Sequence, residues 1–103
     1  MRTCLLILAL LAAVFAVPAM AATKTTSLKD DYFVKAKLTV KKGTTVVWKW
    51  NTDDTHTVTD FNGRWGSKET RKGTFKHKFA KKGKFTVYCL VHPEEMRQKI
   101  VVK

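Results

Sequence analysis

The last twenty residues constrain the fold of this chain more than any other stretch. Lys84-Phe85-Thr86-Val87-Tyr88-Cys89 alternates as a half-buried strand does, and Gln98-Lys99-Ile100-Val101-Val102-Lys103 reads as a second strand. Between them Pro93 stiffens a turn in which His92 follows Cys89 after two residues and Met96 follows His92 after three. One loop between two strands therefore offers a thiol, an imidazole and a thioether. Cys89 shares the strand face of Phe85 and Val87, which points it inward.

These are soft and borderline donors, the set that holds copper rather than calcium or magnesium. A first-row metal in a trigonal site needs one more nitrogen. His56, directly after another strong strand, supplies a candidate. A lone buried Cys is usually a small hydrophobe and a lone His usually satisfies a local hydrogen bond. Taken together and with Met96, on these elements, the residues point to a metal centre of His56, Cys89 and His92, with Met96 as a long axial sulfur.

The remaining segments agree on one fold class. Leu38-Thr39-Val40 and Lys41-Lys42-Gly43 read as strand and turn. Thr44 to Trp50 is the clearest strand, with Val46, Trp48 and Trp50 on the core face. Asn51 to Thr55 is rich in turn formers and is expected to set His56 at the start of a new extended run. Phe61 to Gly73 has three glycines and little period, so it reads as a long surface connection, with room for a short helical turn. Its Trp65 suits either a docking surface or the core. Phe75, His77 and Phe79 share one strand face, where His77 is expected to be a hydrogen-bonded structural residue outside the metal site. Ala22 to Ser27 is a segment that either frays or forms a short edge strand. Short strands, glycine turns and no long helical pattern indicate an all-β Greek-key β-sandwich. Rossmann, P-loop and serine-nucleophile motifs and paired catalytic carboxylates are absent from the sequence.

Val40 to Trp48, His56, Gly73-Thr74-Phe75, Phe79, Lys82 to Phe85 and Tyr88 through Met96 together resemble a small cupredoxin, a blue copper protein of the plastocyanin and amicyanin group. The resemblance covers nearly all of the chain after residue 27. It implies one copper ion in a type 1 site, an electron exit through an edge of His92 amid Leu90, Val91 and Pro93, and a possible second route at Tyr88, whose alternative is ordinary strand packing. The chain departs from the usual pattern at Thr57, where many relatives have Asn, and at Val91, where Pro is common. The spacing from His92 to Met96 leaves Glu95 open as an axial oxygen donor in place of Met96.

Ahead of this domain, Arg2 and the apolar run Cys4 to Phe15, followed by Pro18-Ala19-Met20-Ala21, form a secretory signal peptide over residues 1–21. The run is shorter than a membrane-spanning helix needs, so stable membrane insertion after cleavage is not expected. The domain is then 22–103, of 82 residues, and a chain of this size buries only about 60–65% of its unfolded surface. A bound metal would add stability. Cleavage removes Cys4, and a single thiol in an oxidising compartment is a liability unless it is buried or ligated.

The sequence carries a formal charge of +12, which falls to +11 when Arg2 leaves with the leader. The lysines fall mostly at strand edges, outward positions and turns. They either protect sheet edges or attract an acidic redox partner or an anionic membrane. They are spread rather than arrayed on a helix, which argues against nucleic acid. The reading is an exported, monomeric one-electron carrier between redox protein partners in the periplasm or outside the cell. The alternative is a copper delivery or buffering module using the same ligands. A Cys/His enzyme lacks the cleft and oxyanion donors it would need in so small a sandwich, so the protein is expected not to be an enzyme.

Overall fold

The structure is a computed structural model that describes residues 22–103; the expected signal peptide and Cys4 lie outside the described residues. Seven strands follow one another: β1 (Thr23–Ser27), β2 (Lys37–Val40), β3 (Thr45–His56), β4 (Thr59–Asp60), β5 (Thr70–Lys78), β6 (Gly83–Tyr88) and β7 (Arg97–Val102). They form a three-stranded sheet in the order β1-β3-β5 and a four-stranded sheet in the order β2-β7-β6-β4. Among the described residues there is no helix. The two sheets enclose a core in the sandwich arrangement expected for alternating strands of this kind.

The strand sequences explain which sheet face is dry. Val46, Trp48 and Trp50 alternate along β3 and are all buried, and Trp48 stands directly opposite Phe75 on β5. The Trp48 ring lies 6.0 Å from Phe75, 6.1 Å from Trp65 and 6.4 Å from Phe79. Val87 on β6 and Ile100 on β7 close the core from the other sheet. Polar Gln98 is also buried, and it crosses the sandwich. Its Oε1 accepts from Trp48 Nε1 at 2.8 Å, while its Nε2 donates to the Lys35 carbonyl at 2.8 Å. A buried indole N–H and a buried amide each need such a partner.

Two glycines have specific jobs. Gly43, at φ +92°, takes the left-handed conformation of the turn between β2 and β3. Gly73 leaves room for Trp50, since a Cβ there would come within 3.0 Å of the indole and 2.9 Å of Thr70 Oγ1.

Several expectations are refined. Ala22 to Ser27 does not fray: β1 pairs in parallel with β3 at the sheet edge. The turn formers 51–55 do not break the chain. β3 runs on through them to His56, with a register irregularity between Asn51 and His56 that absorbs the unfavourable strand residues. Residues 61–69 contain no helical turn. Trp65 is packed rather than displayed, with its ring 4.0 Å from His77 and 6.0 Å from Phe75.

The topology sets the two ends of the sandwich apart. At one end β3 finishes at His56 and β6 finishes beside Cys89, while β7 begins just after Met96. At the other end the 41–44 turn bonds to Phe79 and Lys103: Gly43 N donates to Phe79 O at 2.7 Å and Lys42 N to Lys103 O at 2.9 Å.

Candidate metal centre

The metal-ligand candidates meet at the end where β3 and β6 stop. β3 carries His56 inward, where it is fully buried, and β6 carries Cys89, equally buried, to meet it from the other sheet. His56 Nδ1 lies 3.7 Å from Cys89 Sγ. The backbone N–H of Thr57 also points at the sulfur, 3.4 Å away. Such a donor stabilises a thiolate and fixes its direction.

The loop after Cys89 closes on itself. Cys89 N donates to Met96 O at 3.1 Å, and Met96 N donates to His92 O at 3.0 Å. These bonds hold Met96 in the core, at 0% exposure, while Glu95 beside it is exposed. His92 sits in the loop with its ring centroid 5.3 Å from that of His56. Its side chain is half-buried, yet its Nε2 is buried and has no hydrogen-bond partner. Leu90, at 54% exposure, and exposed Pro93 form an apolar rim next to it. Among the described residues, no three His, Cys, Asp or Glu side chains already stand as a cluster able to hold a metal ion.

The donor set nevertheless fits one. A nitrogen about 2.1 Å and a sulfur about 2.3 Å from one first-row ion lie roughly 3.6–3.8 Å apart at tetrahedral to trigonal angles. The His56–Cys89 separation matches that edge. The unpartnered nitrogen of His92 is the second sign, because a buried polar atom without a partner is costly unless something else binds it.

Two neighbours of the site take roles that no local sequence pattern gave them. Asp30, in the segment between β1 and β2, reaches His56: its Oδ1 is 3.4 Å from His56 Nε2. The same carboxylate accepts the backbone N–H of Asp54 at 3.0 Å and of Asp53 at 3.1 Å. The Asp54 N–H holds its carboxyl below the usual carboxylate range, against some opposing desolvation, with the Asp53 N–H and His56 adding to the effect. A carboxylate on one imidazole nitrogen turns the other nitrogen toward the sulfur, which is the arrangement that orients a metal-binding histidine. No local signal marks Asp30, 26 residues before His56. Thr57 is the second neighbour. Its Oγ1 accepts the backbone N–H of Leu90 at 2.9 Å and lies 2.8 Å from Thr59 Oγ1, so it ties the ligand loop to the end of β3. The residue that departs from the usual Asn still anchors the loop.

His77 stays outside the centre, stacked on Trp65. Burial pushes its imidazole below its ordinary value, opposed by Asp60 and assisted by Arg64. Tyr88 faces the opposite side of β6 from Cys89, with the Phe61 ring 5.2 Å away and Arg97 over Phe61 at 5.2 Å.

No protein-family model and no curated protein sequence matches the chain. Solved structures do. A novel purple cupredoxin from Nitrosopumilus maritimus superposes with a TM-score of 0.68 at 20% identity, over 78% of this chain and 99% of its own. An oxidized amicyanin variant gives 0.66 at 23% identity, over 85% of this chain and 97% of its own. The fold is that of the cupredoxins. A Cu(I) form of another amicyanin variant is similar at a TM-score of 0.65 and 26% identity, over 85% of this chain and 88% of its own. The superposition takes in nearly the full length of the first two neighbours.

Proposed function

We propose that the protein is a type 1 copper protein that carries single electrons between redox partners. In this reading His56, Cys89 and His92 would be the strong ligands of a copper ion and Met96 would supply a weaker sulfur donor. The observation that carries it is the 3.7 Å approach of His56 Nδ1 to Cys89 Sγ, made by two segments 33 residues apart and from different sheets. Burial of Met96 and exposure of Glu95 favour the sulfur over the oxygen as the axial donor.

A copper ion held by this set supplies one-electron chemistry, changing only its oxidation state. The chain's own contribution is to keep the donors in place. Thr57 N–H directs the Cys89 sulfur, Asp30 orients His56, and the bonds closing the 89–96 loop hold His92 and Met96. A rigid donor set has little to rearrange when the electron count changes, and small reorganisation favours rapid transfer. Full burial of Cys89, His56 and Met96 excludes water from the centre. The apolar rim of Leu90, Val91 and Pro93 beside His92 suits brief contact with a redox protein. Export, by cleavage of residues 1–21, is part of the proposal and places the single remaining thiol where ligation protects it.

The test is to load the 22–103 domain with Cu(II) and record optical and electron paramagnetic resonance spectra. An intense blue to purple colour that bleaches reversibly with a mild reductant is expected, and Cys89→Ser should abolish it. A colourless domain that holds copper only as Cu(I) would refute the electron-carrier reading and favour copper delivery or buffering.

A further inference from the structure

The fold sorts the charges that the sequence spreads out. Asp30 and Asp31 precede β2 at the His56 end, Asp53 and Asp54 lie just before His56, and Glu94 and Glu95 are in the ligand loop. Asp60 is neutralised in place by Arg64, whose Nε donates to it at 2.7 Å. Among the described residues the opposite end has no Asp or Glu side chain. There Lys41, Lys42, Lys78, Lys81, Lys82 and Lys103 are all exposed. Backbone bonds bring them together: the 41–44 turn is bonded to both Phe79 and Lys103, and Thr45 pairs with Lys78. None of these lysines is ion-paired among the described residues. Six of the 19 Lys and Arg side chains of residues 22–103, with no Asp or Glu among them, therefore sit on the end farthest from the metal centre, separated from it by the 12 residues of β3, roughly 35–40 Å of strand.

We propose that this basic pole seats the domain on an anionic phospholipid surface, with the metal end directed away from the bilayer. Two observations select a bilayer over an acidic protein. The lysines come from four separate chain segments and are spread over an end of the molecule rather than gathered round one cleft, since only Lys78 and Lys81 line the cavity beside Phe79 and Phe85, and lysine is a compact, hydrated point charge suited to diffuse attraction. The pole lacks the apolar anchors on which protein interfaces depend: the exposed large hydrophobics Tyr32, Val34, Phe61 and Leu90 all lie elsewhere. This proposal needs no copper and stands or falls separately from the electron-carrier reading.

The test is co-sedimentation of the 22–103 domain with phosphatidylcholine vesicles made with and without phosphatidylglycerol, at low and at physiological salt. Each lysine near an anionic surface is worth about fivefold in binding, within a Debye length. Binding only to the phosphatidylglycerol vesicles is expected. The variant Lys41→Gln, Lys42→Gln, Lys81→Gln, Lys82→Gln should lose at least about a hundredfold, whereas Lys29→Gln, Lys35→Gln, Lys37→Gln, Lys68→Gln, with the same net charge but an intact pole, should lose less than about tenfold. All eight side chains are exposed, so both variants should fold. Equal loss in the two variants would overturn the proposal, because net charge alone would then explain binding. So would failure of the unaltered domain to bind phosphatidylglycerol vesicles at low salt. Binding to soluble polyglutamate without binding to vesicles would overturn it in favour of an acidic protein.

Discussion

Met96 has a packing role in the core and a proposed role as a copper ligand, and the two can be pulled apart. Its side chain is at 0% exposure within the core cluster, while its backbone is held from both sides by His92 O and Cys89 N. Truncation should therefore leave the loop path intact and open a cavity beneath it. Met96→Ala removes three buried heavy atoms, which costs about 2–5 kcal/mol in lost transfer free energy plus residual cavity. That is a large share of the roughly 4–12 kcal/mol expected for a domain of this length. Met96→Leu keeps the volume and removes only the sulfur, so it should cost less than about 1.5 kcal/mol in the metal-free protein. In the copper-loaded protein the ranking changes its meaning, because an axial thioether is a weak ligand that tunes the site more than it holds the ion. Both variants should bind Cu(II), and both should shift the visible spectrum. Urea denaturation of metal-free and loaded domains, with optical spectra of the loaded forms, measures all of these quantities. A Met96→Ala loss below about 1 kcal/mol would refute core packing of this side chain, and a Met96→Leu spectrum identical to that of the unaltered domain would refute the axial sulfur.

Two further outcomes follow from the surroundings of the site and of the core. Asp30→Asn keeps an acceptor for the Asp53 and Asp54 N–H groups but removes the carboxylate facing His56 Nε2, and should weaken Cu(II) binding by about 10–100-fold in a chelator competition; unchanged affinity would show that Asp30 does not orient His56. His77 is depressed below its ordinary 6.5 chiefly by desolvation. The folded state therefore binds fewer protons than the unfolded chain, and the stability present above pH 6.5 is lost as pH falls through the folded value. His77→Phe should flatten the stability profile in this window, as read by thermal unfolding at a series of pH values, and an unchanged slope would assign the acid sensitivity to other groups.

What was legible in the sequence was local or periodic. Alternation marked the core face of β3 and the strands on either side of the ligand loop, because successive side chains of a strand must take opposite faces. Chemical type marked His56, Cys89, His92 and Met96, since few side chains can hold a soft metal. Turn chemistry misled at 51–55, where Asn, Thr and Asp favour a turn in isolation but β3 runs on to His56 through a register irregularity paired against β5. Trp65 was undecided from sequence, and only its stacking on His77 and contact with Trp48 settle it as a packing residue.

Sequence by itself determined the fold class, the candidate donors and the total charge, all of which depend on residue type and short-range period. Tertiary structure alone decided how closely His56 meets Cys89, that Asp30 stands behind the imidazole, that Gln98 crosses the core to Trp48, and that six lysines gather at the end away from His56. Each of those facts is a distance between residues remote in the chain. No local pattern encodes such a distance; it is fixed by the order and register in which the strands pair.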